Sequence, residues 1–372
     1  MRLIYLTAKK YPSRKADPFY VQSMAEAFFR LLGEGFIFLI RGEVPGELKK
    51  INAAGLHIPG YFRAFFYFFV LPFVIATRGW GGEGNVFLSY DPNLLCILIF
   101  WRQVLPFRYR IVSDWHQMFG DWRDSYVARG SDILTTTSRR LQNILSSRTG
   151  VALKRICVAY GGVNPEPFSQ KSKLDKSQLR EILGLPKENY LIGYIGGFVS
   201  IGHKKGLDTM IEALSKMPSD TKMVFVGGRQ AEIEEYRHTA EIYSVENRCI
   251  FVNRQPFEKV IEYELAMDLL VIPYPDKPHF RDYGFPMKVW EYMTTGRPIL
   301  YSDLDIMREI LGDRAHSFKP EEAGDFTKVV ASIRLEPAKV EEVAKRNTEA
   351  VMNYTWEARA KNILQFIQDK GV

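Results

Sequence analysis

Short apolar runs alternate with longer segments of helical periodicity along most of the chain. In the first half, runs that predict strands are Leu3–Thr7, Phe36–Ile40, Val86–Tyr90, Tyr109–Ser113, Ile133–Thr136 and the run beginning at Ile156. Helix-length stretches such as Tyr20–Leu32 and Ser138–Ser146 lie between them. This alternation is typical of βαβ units with a parallel sheet.

A second alternating series begins after residues 165–176, which are rich in Pro, Ser and Lys and are predicted to be a linker. The strands predicted there are Leu191–Ile195, Met223–Val226, Ile250–Val252, Leu269–Pro273 and Ile299–Ser302. The helices predicted between them are Leu207–Lys216, Ile233–Tyr243, Glu258–Ala266 and Met287–Thr295. We therefore predict an α/β protein of two Rossmann-like domains, residues 1–165 and 166–353, with the ligand in a cleft between them.

Length and composition agree with a two-domain globular protein. The 372 residues exceed what one hydrophobic core usually supports, and 46% are hydrophobic and 25% charged. The three cysteines are far apart and the histidines lack metal-ligand spacing, so we expect neither a disulfide framework nor a structural metal. A strand-like run starts at Leu3 without a signal peptide, and the longest apolar region is too short to span a membrane. We expect a cytoplasmic protein.

The positive charge is concentrated in the first half of the chain. Residues 1–165 carry 21 lysines and arginines against 11 acidic residues, or +10, whereas the whole chain has a net charge of +7. This excess fits a nucleic acid, an anionic membrane or a phosphate-bearing substrate, and equally a solvated basic surface. The basic residues match no nucleic-acid recognition motif, so we expect no nucleic-acid partner.

An aromatic segment of the first half, residues 58–80, has helical periodicity. The phenylalanines on one predicted face are Phe62, Phe65, Phe66, Phe69 and Phe73. Aromatic stripes usually pack in a core, and this is the preferred interpretation. Nearby Lys49, Lys50, Arg63 and Arg78 also suit contact with an anionic membrane.

Two segments of the second half have the chemistry of a phosphate site. Gly193–Phe198 follows a strand and precedes a helix, so its backbone N–H groups can approach a phosphate, and Lys204 and Lys205 follow at the helix start. Cations at a helix N-terminus indicate an anion between them and the helix, although a loop of solvated lysines has the same pattern.

Residues 283–298 give the more specific signal. Pro286 suits the first turn of a helix and Gly296 its C-terminal end. Lys288 and Glu291 share a face at i and i+3, where they can hold a diphosphate and its ribose together. A simple surface Lys–Glu pair is the alternative.

With these motifs, the whole chain resembles the retaining GT-B-fold glycosyltransferases of family 4, most strongly from Gly193 to Pro298. Lys205-Gly206 is similar to the lysine half of the family's diphosphate motif. Glu291 is similar to the second glutamate of its E-x7-E motif, which holds the ribose. Ser113-Asp-Trp-His116 resembles the strand end whose histidine lies beside the transferred sugar. Tyr354–Glu357 resembles the crossing into a last helix, about 354–372, that returns to the N-terminal domain.

The resemblance implies a metal-independent retaining transferase in polysaccharide biosynthesis, with no cofactor. The donor is a nucleotide diphosphate sugar of the hexose type, with UDP or GDP expected, and the acceptor is a glycan or a lipid-linked molecule. Peripheral contact with the inner face of the cytoplasmic membrane is also implied. The catalytic residues expected are His116, Lys205 and Lys288. The donor-binding residues expected are Gly196, Gly197, Lys204, Lys205, Gly227, Arg254, Gly284, Phe285, Pro286, Met287, Lys288 and Glu291.

The sequence departs from the family pattern at two donor-site positions. The family's phosphate-binding arginine falls near Phe198, and its first E-x7-E glutamate falls on Tyr283, with Asp282 adjacent. The loop after the first strand lacks glycine, and its Arg14 and Lys15 are candidates for phosphate contact or for plain loop surface. A non-catalytic nucleotide-sugar-binding or partner subunit with the same fold is therefore the alternative.

Overall fold

The computed structural model describes residues 1–11, 16–58, 63–283 and 286–371, except the side chains of residues 16–18 and 63. The chain forms two compact units, one of Met1–Gly162 with Trp356–Val372 and one of Val163–Thr355. Arg14, Lys15, Tyr61, Phe62, Gly284 and Phe285, about which the sequence makes predictions, lie outside the described residues.

The N-terminal unit is built on a parallel sheet of seven strands. The strands are β1 (Arg2–Leu6), β2 (Phe36–Arg41), β3 (Ala53–Leu56), β4 (Asn85–Ser89), β5 (Arg110–Trp115), β6 (Ile133–Thr136) and β7 (Ile156–Val158). Their order in the sheet is β3-β2-β1-β4-β5-β6-β7. Its helices are α1 (Ala16–Leu32), α2 (Gly46–Lys49), α3 (Arg63–Thr77), α4 (Pro92–Val104), α5 (Arg123–Gly130), α6 (Arg139–Thr149) and, from the chain's end, α16 (Trp356–Asp369). Helix α16 packs against α1.

The C-terminal unit has a six-stranded parallel sheet and a small antiparallel hairpin. The strands are β8 (Tyr190–Ile195), β9 (Val199–Ser200), β10 (His203–Lys204), β11 (Thr221–Gly228), β12 (Cys249–Asn253), β13 (Leu269–Ile272), β14 (Ile299–Ser302) and β15 (His316–Phe318). The sheet order is β12-β11-β8-β13-β14-β15, and β9 pairs with β10 in the hairpin. The chain therefore reverses its direction of winding between β8 and β13, the place where parallel sheets usually bind ligands.

The helices of this unit connect the parallel strands. They are α7 (Glu166–Lys171), α8 (Lys176–Ile182), α9 (Leu207–Leu214), α10 (Gln230–Ile242), α11 (Phe257–Ala266), α12 (Lys288–Thr294), α13 (Asp305–Arg308), α14 (Ala323–Leu335) and α15 (Pro337–Ala350). A π-helical turn, His279–Tyr283, follows β13. The prediction of two Rossmann-like α/β halves is confirmed.

The prediction of a linker at residues 165–176 is wrong. Glu166–Lys171 is a helix with Pro165 at its N-terminus, and Phe168 is fully buried against Phe257 of α11. Asp175 then caps α8 by accepting from the backbone N–H of Gln178 at 2.8 Å. The prolines here lie at a helix start, which composition alone does not distinguish from a linker.

Helix α3 also buries a different face from the one expected. Its buried positions are Tyr67, Leu71 and Ile75, whereas Phe65, Phe69 and Phe73 are 60%, 56% and 70% exposed. The preferred interpretation, that the phenylalanine face packs in the core, is therefore wrong. Both faces are apolar, so periodicity could not select the inner one. Among the described residues, no helix is long and apolar enough to cross a membrane.

Candidate functional site

The candidate donor site lies at the carboxyl end of β8, beside its neighbour β11. The backbone N–H of Gly196 donates to the carbonyl of Val226 at 2.7 Å, which joins the two strand ends. Gly196 has φ of 149°, and a Cβ there would stand 2.1 Å from Lys288 Nζ. A Cβ on Gly227 would in turn stand 2.7 Å from the Gly196 carbonyl. Gly196 therefore lies in close contact with both Lys288 and Gly227, and a side chain at either glycine would disrupt that packing.

Lys288, the first residue of α12, is buried against the loop that follows β8 at Gly196 and Gly197, which we call the glycine loop. Its Nζ donates to the Ile195 carbonyl at 2.7 Å, and it lies 5.1 Å from the ring centre of Tyr194 and 5.7 Å from that of Tyr292. Burial lowers the pKa of Lys288, and the nearby carboxyl groups of Glu291 and Glu264 oppose this shift. A buried ammonium group beside backbone amides is suited to bind an anion.

Two carboxyl groups lie within electrostatic reach of Lys288. Glu291, one helical turn further along α12, is half-buried, and burial raises its pKa against the opposing effect of Lys288. Glu264 of α11 is fully buried, and neither of its oxygens has a hydrogen-bond partner among the residues that the structure describes. Burial, and then repulsion from Glu291, raise the pKa of Glu264 well above its usual value.

The other predicted cations differ in position. Lys205 is half-buried with its Nζ 5.6 Å from the ring centre of Tyr274, and burial and the repulsion of Lys288 lower its pKa to about 7. Lys204 is exposed and pairs with Glu235 at 2.6 Å, so it points toward α10. Arg254 is exposed after β12, within electrostatic reach of Glu232. The structure thus brings Lys205 within electrostatic reach of Lys288, whereas Lys204 and Arg254 face acidic residues of α10.

The remaining donor-site predictions lie around the same strand end. The carbonyl of Gly197 accepts from the Tyr194 hydroxyl at 2.8 Å, which fixes the loop after β8. Pro286 and Met287 precede α12, and their carbonyls accept from Val289 at 3.1 Å and Trp290 at 3.0 Å. Phe198, where the resemblance implies an arginine, is completely buried in the core.

His116 lies in the N-terminal unit, just after β5. Its ring packs edge-on to Tyr20 at 4.4 Å and stacks on Tyr90 at 5.7 Å. Its Nε2 is 3.2 Å from Asp114 Oδ2, and about a third of the side chain is exposed. A carboxylate only accepts hydrogen bonds, so Nε2 carries the proton in this contact and Nδ1 is the ring nitrogen left for a further partner.

Asp114 is the centre of a buried polar cluster. It accepts from Arg359 Nη2 at 2.7 Å, from the Thr135 hydroxyl at 2.5 Å and from the Tyr20 hydroxyl at 3.0 Å. Burial opposes ionisation, but Arg359, His116 and Thr135 together hold the pKa of Asp114 well below its usual value. The ionised carboxylate therefore links α16 to the strand end that carries His116.

Sequence analysis did not assign a role to several residues at the end of β8 and in the buried cluster beside His116: Tyr194, Glu264, Tyr274, Tyr292, Asp114 and Arg359. Tyr292 accepts from the Ile195 N–H at 3.0 Å, and Glu264 adds a buried carboxyl group. The Tyr-x-Gly-Gly spacing at the end of β8 is a weak signal for Tyr194, since its hydroxyl reaches forward to the Gly197 carbonyl. Within the described ranges, no group of His, Cys, Asp and Glu side chains is arranged to hold a metal.

A model of a known protein family matches part of the chain. Residues 175–351 match the family model described as glycosyl transferases group 1. Over 196 residues, or 51% of the chain, the sequence is 25% identical to D-inositol 3-phosphate glycosyltransferase of Xylanimonas cellulosilytica, covering 45% of that protein. The chain thus spans less than half the length of the curated relatives that it matches.

Two solved structures share the fold along nearly the whole chain. Anabaena HepE in complex with UDP superposes with a TM-score of 0.76 at 14% identity, covering 99% of this chain and 100% of that one. A glycosyltransferase from Rickettsia africae ESF-5 has a TM-score of 0.80 at 12% identity, covering 99% and 98%. Residues 175–351 thus match the glycosyl transferases group 1 model, and the chain has the GT-B fold of these glycosyltransferase structures.

Proposed function

We propose that the protein is a glycosyltransferase whose C-terminal unit binds a nucleoside diphosphate sugar at the carboxyl end of β8. The contact of Gly196, Gly227 and Lys288 is the observation that carries this proposal. A departing diphosphate develops negative charge, which cations and backbone N–H groups stabilise. Lys288 and Lys205 supply the cations, and Glu291 supplies an acceptor for the ribose hydroxyls.

UDP is the first nucleotide to test. The Anabaena relative was solved with UDP bound, and this supports a UDP sugar as donor, with a GDP sugar second. The resemblance supports transfer of a hexose with retention of anomeric configuration, and His116 then uses Nδ1 as hydrogen-bond acceptor for the transferred sugar. Two lysines meet the diphosphate charge, so we expect the rate to be unchanged by EDTA.

The acceptor side includes an aromatic face, which we define as Phe65, Phe66, Phe69 and Phe73 of α3 with Trp122. A groove of about 440 Å³ runs along it, lined among others by Phe65, Phe69 and Trp122. The half of the chain that carries it has a charge of +10. Exposed aromatics on a basic protein suit an anionic lipid surface, so we propose peripheral contact with the inner face of the cytoplasmic membrane and a lipid-linked or glycan acceptor.

A thermal-shift screen against UDP, GDP, ADP, CMP and dTDP tests the donor proposal. We expect selective stabilisation by one nucleoside diphosphate, and its loss in Glu291→Ala. Lys216→Ala is the matched control, because Lys216 forms an exposed pair with Glu212 and is not a predicted donor-site residue. A well-folded sample that none of the nucleotides stabilises would contradict the proposal and favour the non-catalytic alternative.

A further inference from the structure

A row of four basic side chains extends from the glycine loop toward solvent in the C-terminal unit. Lys288 is buried, Lys205 and His279 are half-buried and His203 is exposed. Repulsion by Lys288 adds to burial in lowering the pKa of Lys205. Repulsion by His203 and Lys205 adds to burial in lowering the pKa of His279. Each member thus lies within electrostatic reach of the next, and we call this set the basic row.

Carboxylates near Lys205 and His279 pair with arginines. Arg281 contacts Asp276 at 3.1 Å and Asp282 at 3.4 Å, so it neutralises the acids of its own turn. Glu232, which reaches Lys205 electrostatically, pairs with Arg229 at 2.6 Å. In the described part of the chain, Lys205, His203 and His279 form no ion pair with a carboxylate.

This arrangement has more basic side chains than a diphosphate alone requires. Lys288 and Lys205 lie at the glycine loop, whereas the two histidines lie further out, at the hairpin β9–β10 and at the turn after β13. Burial, and then repulsion by His203 and Lys205, lower the pKa of His279, which favours its neutral ring; that ring still donates one N–H. An anion bound between them removes that repulsion.

The two rings lie close enough together to share one anion. The ring centres of His203 and His279 are 6.4 Å apart and the planes are inclined by 23°. Two nearly parallel imidazoles at this spacing can each donate an N–H to a different oxygen of one carboxylate. The turn that carries His279 ends at Tyr283, and this neutral side chain does not repel a carboxylate.

We propose that His203 and His279 form a subsite for a carboxylate on the transferred sugar, so that the donor is a nucleotide-linked uronic acid. This inference rests on the proposed function, because it extends the same donor site from the diphosphate to the sugar. Lys205 lies between the two parts and serves both the diphosphate and the histidine subsite.

Calorimetric titration of the whole protein with UDP, UDP-glucose and UDP-glucuronate tests this subsite. We expect UDP-glucuronate to bind at least about tenfold more tightly than UDP-glucose, the order of magnitude of one charge-assisted hydrogen bond. His279→Gln and His203→Gln should each reduce that preference severalfold and leave UDP affinity unchanged. His238→Gln, an exposed histidine of α10 paired with Glu241, is the matched control and should change neither.

The outcomes separate the two proposals. If UDP binds but UDP-glucose binds as tightly as UDP-glucuronate, the carboxylate subsite is refuted and the donor site stands. If the preference survives in the His203→Gln and His279→Gln variants, the assignment to these histidines is refuted. The exposed position of His203 keeps the test decisive even if His279→Gln unfolds. If the protein binds none of the three ligands, nor GDP, the donor site itself fails and the inference fails with it.

Discussion

Replacement of Arg359 by methionine isolates the buried cluster that holds His116. The Arg359 and Asp114 side chains are 1% and 2% exposed, and their charged atoms are 2.7 Å apart. Methionine fills a similar volume but leaves the Asp114 carboxylate buried with only the hydroxyls of Thr135 and Tyr20 and the His116 ring as partners. Breaking one partner of a buried ion pair typically costs about 3–5 kcal/mol. That is a large part of the roughly 5–15 kcal/mol by which a domain is stable.

The pH dependence of this loss follows from the pKa of Asp114. In the wild type the folded-state pKa is depressed, so the pair contributes stability above the unfolded value of 3.8 and loses it as the pH falls further. In Arg359→Met, burial instead raises the pKa of Asp114 and the penalty is largest at neutral pH. The difference between variant and wild type should therefore shrink as the pH falls from 7 toward 4.

Urea unfolding followed by tryptophan fluorescence measures this loss, since five of the six tryptophans belong to the N-terminal unit. Asp114→Asn combined with Arg359→Met should recover part of the lost stability, because no charge is then left buried. Arg108→Met is the control, as Arg108 pairs with Glu83 at an exposed surface where such pairs contribute about 0–1 kcal/mol. A loss below about 1 kcal/mol for Arg359→Met, or one equal at pH 4 and 7, would refute the reasoning.

Three further predictions concern other charged and aromatic groups. Donor affinity should fall as the pH rises through about 7, because Lys205 then loses its charge; Lys205→Arg, which stays charged, should remove that dependence in calorimetric titrations. Above about pH 4.5, Glu264→Gln should become more stable relative to wild type as the pH rises, because wild type must then ionise a buried carboxyl group. The gain in the free energy of unfolding is about 1.4 kcal/mol for each unit by which folding raises the pKa of Glu264. A difference in urea titrations that does not depend on pH argues against the raised pKa. Phe69→Glu should abolish co-sedimentation with anionic vesicles, whereas Leu335→Glu on the exposed face of α14 should not. Vesicle binding that is unchanged in Phe69→Glu contradicts the membrane assignment. So does a Phe69→Glu variant that loses self-association instead of vesicle binding.

The sequence predicts the positions of strands and helices along the chain better than it predicts which face of a helix is buried. The predicted run Leu269–Pro273 coincides with the observed strand Leu269–Ile272, because a strand buried on both faces is continuously apolar. The strand Ala53–Leu56 contains alanine and glycine, so it lacks that signal and was not predicted. Helix α3 is apolar all round, so only tertiary packing distinguishes Tyr67 from Phe69.

The candidate site is predictable where its chemistry is local. Lys288 and Glu291 are one turn apart on a helix, so their shared face is readable from spacing. Asp114 and Arg359 are 245 positions apart, and their contact exists only because α16 returns to the N-terminal unit. The burial of Glu264 had no signal in the sequence either, because a glutamate in an amphipathic helix normally indicates the solvent face.

Titration of UDP into Gly196→Ala tests the central claim, that the donor diphosphate binds on the glycine loop beside Lys288, most directly. The new Cβ would stand 2.1 Å from Lys288 Nζ at a backbone φ of 149°, so the ammonium group must move away from the loop. Gly324→Ala, where no atom lies within 4 Å of the new Cβ, controls for the substitution itself. We expect at least about a tenfold loss of UDP affinity in Gly196→Ala and no change of UDP affinity in Gly324→Ala. Wild-type UDP affinity in a folded Gly196→Ala protein would contradict it.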